Sequence, residues 1–200
     1  YQYEDFVESP QGVYTLKDNI PRNGNPTVQP GDIKYKDLDG DGNVNANDFT
    51  VIGRGVPKHT GGLSNNFSYK GFDLNVFLQW SYGNDIINAN RMLFDGNGKQ
   101  SRFFNQYASY ANRWQPDNPS NTLFRTAGQG SFYYSRRVVE DGSYLRLKTI
   151  SLGYNFPARI FQKAKFKSLR IYASAQNIAT WTNYSGPDPE VSVRHSTLTP

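Results

Sequence analysis

A chain of 200 residues and 22.7 kDa is long enough to bury a core, yet only 36% of these residues are hydrophobic and the mean hydropathy is −0.71. The apolar content is ring-rich, with 14 Tyr, 13 Phe and 3 Trp against a single Met, and 20 Asn, 18 Gly and 11 Pro accompany it. Rings fit pleated sheets while Asn, Gly and Pro end helices, so an all-helical fold is excluded. The net charge of +5 is unevenly held: residues 1 to 100 carry 9 basic against 12 acidic side chains, and residues 101 to 200 carry 13 against 5. Apart from Arg159, Lys163, Lys165 and Lys167 the basic residues are scattered, which is not the stripe that nucleic acid requires, and no nucleic-acid partner is expected.

The absence of Cys removes disulfides, zinc-thiolate sites and thiol nucleophiles, and leaves the redox compartment unassigned. No run approaches the ~18 consecutive apolar residues of a membrane-spanning helix. Crossing a bilayer would therefore require a β-barrel, since only helices and closed barrels satisfy every backbone polar group in lipid. Tyr1 opens the chain without a signal-like segment, so it reads as a mature protein or a fragment.

In chain order, residues 1 to 62 form a long polar segment that contains one chemical motif. Asp37-Leu38-Asp39-Gly40-Asp41-Gly42-Asn43-Val44-Asn45-Ala46-Asn47-Asp48 has the D-x-D-x-D-G spacing of an EF-hand calcium loop, with Asp in place of Glu at the last position. Alternate carboxylates at Asp37, Asp39 and Asp41 converge on one hard cation. Gly42 permits the sharp turn, the Asn43 carbonyl, Asn45 and Asp48 complete the shell, and Val44 is the apolar anchor. Ca²⁺ is the expected ion, with modest affinity and a structural role, because Asp48 is too short to reach it as a Glu would. The alternative is an Asx-rich turn whose side chains bond their own backbone. The preceding Gly31 to Lys36 looks like strand, which argues against a paired EF-hand domain.

Leu63 to Tyr69 alternates apolar with polar residues, Lys70-Gly71 supplies a two-residue turn, and Phe72 to Tyr82 alternates strictly. Phe72, Leu74, Val76, Leu78, Trp80 and Tyr82 share one face, and Asp73, Asn75, Phe77, Gln79 and Ser81 the other. Eleven residues make a strand of ~36 Å, which at a tilt of ~45° spans roughly 25 Å, the height of an outer-membrane apolar band. Residues 83 to 143 are a long polar segment. Tyr144 to Phe156 is the next strand, with a parity switch near Thr149 that predicts a bulge or a twist between faces. Pro157 to Lys167 is a short basic connection placed to meet anionic headgroups, or else a turn kept soluble by its lysines. Ser168 to Ile178 is the last strand. Short connections fall at one end of these strands and long ones at the other, the arrangement of an up-and-down outer-membrane barrel.

Catalytic patterns are absent. His59 reads as a loop residue, His195 has no partner motif, and Asp188-Pro189-Glu190 reads as an exposed turn, so no enzyme activity is expected. Trp80 and Tyr82 end a strand where an interfacial ring belt would sit, while Trp114, Tyr133, Tyr134 and Trp181 are placed in loops, to pack them or to stack on sugars.

Several blocks together resemble the C-terminal part of SusC/RagA-type TonB-linked outer-membrane proteins: PGDIKYKDLDGDGNVNANDFTVIG (residues 30 to 53), GG…YKGFDLNVFLQWSYGNDIINANR (61 to 91), NRWQPDNP (112 to 119), and YLRLKTISLGYNFP followed by SLRIYASAQNIATWTNYSGPDPEV (144 to 191). The resemblance implies an all-β fold, an antiparallel transmembrane barrel of about 22 strands of which about five lie in this chain. Residues 1 to 200 would be a fragment lacking the plug, the TonB box, most strands and the last strand, with residues 30 to 53 an acidic calcium-loop-like extracellular insertion. It further implies import of oligosaccharides or peptides through the Gram-negative outer membrane, in contact with outer-membrane lipid, with a SusD-like surface lipoprotein as lid and the TonB complex engaged through the missing N-terminal part. The competing expectation is a soluble, calcium-stabilised β-module that binds glycans on aromatic loops.

Overall fold

The computed structural model describes residues 1 to 23, 28 to 95, 105 to 125, 134 to 160 and 168 to 190. They divide into two units, one of residues 1 to 52 with 88 to 138, the other of residues 53 to 87 with 139 onward.

In the first unit β1 (Phe6–Glu8) and β2 (Tyr14–Leu16) form a short antiparallel ladder. Tyr1, Phe6, Leu16 and Val28 bury together, with Tyr14 and Ile20 against them. Trp114, Leu123 and Phe124 are also buried, and Arg125 beside them bonds residues 31 and 32: its backbone N–H donates to the Gly31 carbonyl (2.8 Å) and its Nε to Asp32 (2.6 Å). These long polar segments are thus held by a few rings and paired charges, because they contain too few aliphatic side chains for a layered core.

The second unit is a sheet. Its strands are β3 (His59–Tyr69), β4 (Phe72–Tyr82), the short pair β5 (Asp85–Ile87) and β6 (Val139–Asp141), then β7 (Tyr144–Phe156) and β8 (Leu169–Thr182). The four long strands lie antiparallel in the order β3-β4-β7-β8. β4 begins and ends at the limits of its alternation. The β3–β4 turn has φ of 45° at Lys70 and 90° at Gly71, the left-handed pair of a type I′ hairpin.

The parity switch in β7 is a bulge. Leu147 pairs with Leu78 and Thr149 with Phe77, leaving Lys148 as the extra residue. Leu145 and Leu147 therefore share a face with Ile150, Leu152 and Tyr154, opposite Trp80, Leu78, Val76, Leu74 and Phe72. β8 answers with its own irregularity between Gln176 and Ala179, where Asn177 has φ of 51°.

One face of the sheet is consequently apolar but for Asn65 and His59 of β3, and it is uncovered among the described residues: Phe67 is 59% exposed, Leu152 48% and Ile171 58%. The other face carries Asp73, Asn75, Gln79, Ser81, Tyr144, Arg146, Ser151, Arg170 and Ser174. No described helix is long and apolar enough to cross a membrane.

Three local expectations change. β3 starts at His59, four residues before the alternation, because Thr60, Gly61 and Gly62 still pair with Ser81, Trp80 and Gln79. β8 runs to Thr182 and takes Trp181 into the ladder opposite Leu145. Gly31 to Lys36 forms neither strand nor helix. In the basic connection Ala158–Ile160 make one 3-10 turn; Lys163, Lys165 and Lys167, like Tyr133 and His195, lie outside the described residues.

Candidate functional site

The acidic loop of the first unit is organised by its own backbone. Asp37 accepts from the N–H groups of Gly40 (2.7 Å) and Gly42 (2.9 Å), Asp39 from Asp41 (3.1 Å), and Asp41 from Asn43 (2.7 Å). Gly42 takes φ of 85°, as the sixth position of the motif demands. Val44 is buried at 5% exposure, and the loop pairs with Arg22 on both sides of Asn43: Arg22 N–H to Gly42 O, 3.0 Å, and Val44 N–H to Arg22 O, 2.7 Å.

Asp48 closes the loop through the N–H groups of Leu38 (2.6 Å) and Asn45 (2.7 Å). Those backbone donors, Asn45 and Leu38 foremost, hold its carboxyl below the usual range against the opposing effect of burial. One carboxylate oxygen each from Asp37, Asp39 and Asp48 lie within 4.8 Å of one another. Asp41 stands outside that trio. The Asn45 amide bonds Asp41 (3.3 Å) and the Asn43 carbonyl (3.0 Å), while its own oxygen caps the 3-10 turn Ala46–Asp48 at Asn47 (2.9 Å). An all-oxygen donor set of this kind suits a hard cation such as Ca²⁺ and no softer metal.

A second constellation lies on the polar face of the sheet, near the ends of β4 and β7 that lead to the long connections. Arg146, 5% exposed, sends one Nη to Asp188 (2.6 Å) and the other to Glu190 (2.8 Å). Glu190 also accepts from the Tyr144 hydroxyl (2.7 Å) and the Gln79 amide (3.2 Å), and lies 3.6 Å from Lys148. Gln79 and Arg146 are register partners, so β4 and β7 present their donors side by side. Burial raises the pKa of Asp188, but the Arg146 guanidinium and the Glu190 N–H outweigh it and keep the carboxyl below its usual range. Asp188-Pro189-Glu190 is therefore ion-paired against the sheet, where an exposed turn was expected. Sequence reasoning missed Arg146, which reads as one more polar residue of an alternating strand; the two carboxylates around Pro189 were the available signal.

The apolar face carries rings at the same end. Trp80 Nε1 donates to His59 Nδ1 (3.2 Å), and the His59 ring stacks on Tyr82 at 5.1 Å. Trp80, Leu145 and Trp181 follow one another across three strands. His59 is thus a strand residue in a ring belt, not a loop residue. Trp114 is buried in the first unit, with its Nε1 donating to Gln2 (3.3 Å), and Tyr134 is exposed.

No family model matches the chain. It is 36% identical over 198 residues to a TonB-dependent receptor of Formosa agariphila, covering 98% of this chain and 18% of that protein. It is 27% identical over 180 residues to the TonB-dependent receptor SusC of Bacteroides thetaiotaomicron, covering 89% of this chain and 17% of that one. Among solved structures, the RagAB peptide importer in its open-open state superposes with a TM-score of 0.63 at 27% identity, over 92% of this chain and 17% of that chain. A second structure of the RagAB peptide transporter gives 0.58 at 31% identity, over 65% and 14%. The chain spans less than a fifth of the length of these relatives. Long antiparallel strands, one bare apolar face and these likenesses agree: the chain belongs to the SusC/RagA family of TonB-dependent receptors, as a portion of the β-barrel.

Proposed function

We propose that this chain forms part of the wall and mouth of an outer-membrane, TonB-dependent importer. The observation that carries the reading is the uncovered apolar face of β3, β4, β7 and β8, backed by a polar face of comparable length. In water that face would need a second sheet against it; in a barrel it meets lipid, and the opposite face lines the lumen. The tight Lys70-Gly71 turn and the 157 to 168 connection share one end of the sheet and are assigned to the periplasm. The segments 1 to 58 and 83 to 143, with the residues after β8, are assigned to the cell exterior. The chain's role is passive: it separates lipid from lumen and shapes the entrance, without catalysis.

The imported molecule is taken to be an oligosaccharide or a peptide, with a SusD-like lipoprotein closing the barrel from outside and the TonB complex acting through the N-terminal part of the receptor. SusC and the RagAB importer are the relatives that support this assignment. Within the extracellular loops, Ca²⁺ held by Asp37, Asp39 and Asp48, with Asp41, Asn43 and Asn45 completing its shell, would pin residues 37 to 48. Calorimetry on the receptor is expected to show Ca²⁺ binding that the paired change Asp39→Ala and Asp41→Ala abolishes; equal binding by both proteins removes the metal from the proposal.

Spin labels test the barrel. A label at Leu152→Cys in the intact receptor is expected to be reached by oxygen dissolved in the bilayer, and one at Ser151→Cys by a water-soluble nickel chelate. The same chelate accessibility at both positions, or recovery of the receptor in the aqueous phase without detergent, would favour the soluble glycan-binding module instead.

A further inference from the structure

We propose that Gln79, Tyr144, Arg146 and Lys148 form a carboxylate-binding site on the lumen wall, and that Asp188 and Glu190 are its tethered occupant, holding the place of carboxylates carried by an imported molecule. The proposal rests on the import reading above and deepens it by naming the substrate chemistry.

An asymmetry in burial separates site from occupant. The Arg146 side chain is 6% exposed, whereas those of Asp188 and Glu190 are 38% and 31% exposed. The donors sit on β4 and β7, fixed by the ladder, and the carboxylates sit on residues 183 to 190, which pair with no strand. Gly186, Pro187 and Pro189 give that segment its shape without ladder hydrogen bonds. The wall is thus built and the acids are laid upon it.

The donors also exceed what the occupant uses. Both Nη groups of Arg146 are engaged, yet its Nε is buried without a hydrogen-bond partner among the described residues. A buried donor of a charged group is costly to leave unmade, and an arriving carboxylate that takes Arg146 end-on or side-on supplies the missing acceptor. Tyr144 and Gln79 add neutral donors, and Lys148, the extra residue of the β7 bulge, adds a second cation within 3.6 Å of the bound carboxylate. No acidic side chain of β4 or β7 joins this group: Asp73, the one acid on those strands, pairs with Arg170. The wall alone therefore carries two uncompensated positive charges when residues 188 to 190 leave it, and a molecule bearing two carboxylates at similar spacing neutralises both. A tethered occupant competes at millimolar effective concentration, so a ligand with several carboxylates is required to displace it.

Two sources share this chemistry, uronate oligosaccharides and acidic peptides, and the test separates them. In the intact receptor, hydrogen exchange at the Glu190 amide, which donates to Asp188 at 2.9 Å, is followed with tetragalacturonate, with tetraglutamate, and with their neutral counterparts tetragalactose and tetraglutamine at equal ionic strength. At least about tenfold faster exchange with one acidic probe, and none with its neutral counterpart, is expected. The paired change Asp188→Asn and Glu190→Gln is expected to bind the same probe at least about tenfold more tightly than the parent receptor, and adding Arg146→Gln to abolish that binding. A response to the uronate alone assigns saccharides, and to the glutamate alone, peptides. Unchanged exchange with both acidic probes overturns the proposal, and the exchange measurement decides by itself if the double variant does not assemble. The import reading is judged apart, by bilayer accessibility of the labelled strands: a receptor that passes that test and gives neither exchange response loses the carboxylate site alone.

Discussion

Leu78 stands directly opposite Leu147 across β4 and β7, and the next partnered pair, Phe77 and Thr149, skips Lys148. This single extra residue keeps five apolar side chains of β7 on the face that β4 makes apolar. Without it, a one-residue slip would send every side chain on one side of the break to the opposite face. Deleting Lys148 is therefore expected to turn either Leu145 and Leu147 into the lumen or Ile150 and Leu152 into it, and to abolish assembly. The loss of the folded, heat-shifted gel band checks this, while Lys148→Ser, which keeps the count, should retain the band.

The hairpin turn makes the second prediction. Gly71 has φ of 90°, and a Cβ there would lie 2.8 Å from the Asn155 carbonyl oxygen, so Gly71→Ala meets both backbone strain and a backbone clash. A cost of about 1 to 2 kcal/mol is expected, read as a lower urea midpoint of the assembled barrel. Lys70, at φ of 45°, is a poor residue for the left-handed region, and Lys70→Asn should leave the midpoint equal or raise it by a few tenths of a kcal/mol.

The acidic loop has a pH signature. Asp48 is held below its ordinary value chiefly by the N–H groups of Asn45 and Leu38. A depressed carboxyl contributes stability that is fully present above its unfolded pKa and lost as pH falls through the lower folded one. Amide protection at Leu38 and Asn45 should thus persist through the ordinary carboxylate range and weaken only at more acid pH; Asp48→Asn, which keeps one acceptor oxygen of the two, should lose the protection of one of these amides at neutral pH. Val44→Ala, which strips about two methylene equivalents from a buried anchor, should loosen the loop by about 1.5 kcal/mol and weaken Ca²⁺ binding alongside.

What the sequence made legible follows from periodicity. β4 could be read to the residue because its alternation is strict, and the β7 parity switch announced either a bulge or a twist between faces, of which the pairing with β4 shows the bulge. β3 before Leu63 and β8 after Ile178 were hidden: Thr60, Gly61 and Gly62, and Ala179 and Thr180, carry no alternating signal, and cross-strand pairing alone extends them. The Arg146 cluster was hidden for a different reason. Its partners lie 42 and 44 positions away on a segment without secondary structure, and no spacing rule connects a strand arginine to a Pro-flanked acid across a chain reversal.

Gly153 carries the last prediction. It lies on β7 between Asp73 of β4 and the residues of β8, and a Cβ added there would come within 2.6 Å of an Asp73 carboxylate oxygen and 2.7 Å of the Arg170 guanidinium. The missing side chain is the gap through which Asp73 and Arg170 meet over the intervening strand, with Asn155 adding a bond to Asp73 at 3.2 Å. That ion pair is partly exposed, the side chains 33% and 49% accessible, so its own worth is at most about 1 kcal/mol. Asp73→Asn should therefore shift the urea midpoint only slightly. Gly153→Val should shift it more, because it evicts both charged groups and crowds the strands that flank it, and the double variant should fall close to Gly153→Val alone. Independent, additive losses in the three proteins would show that Gly153 is required by the backbone and not by the pair that crosses it.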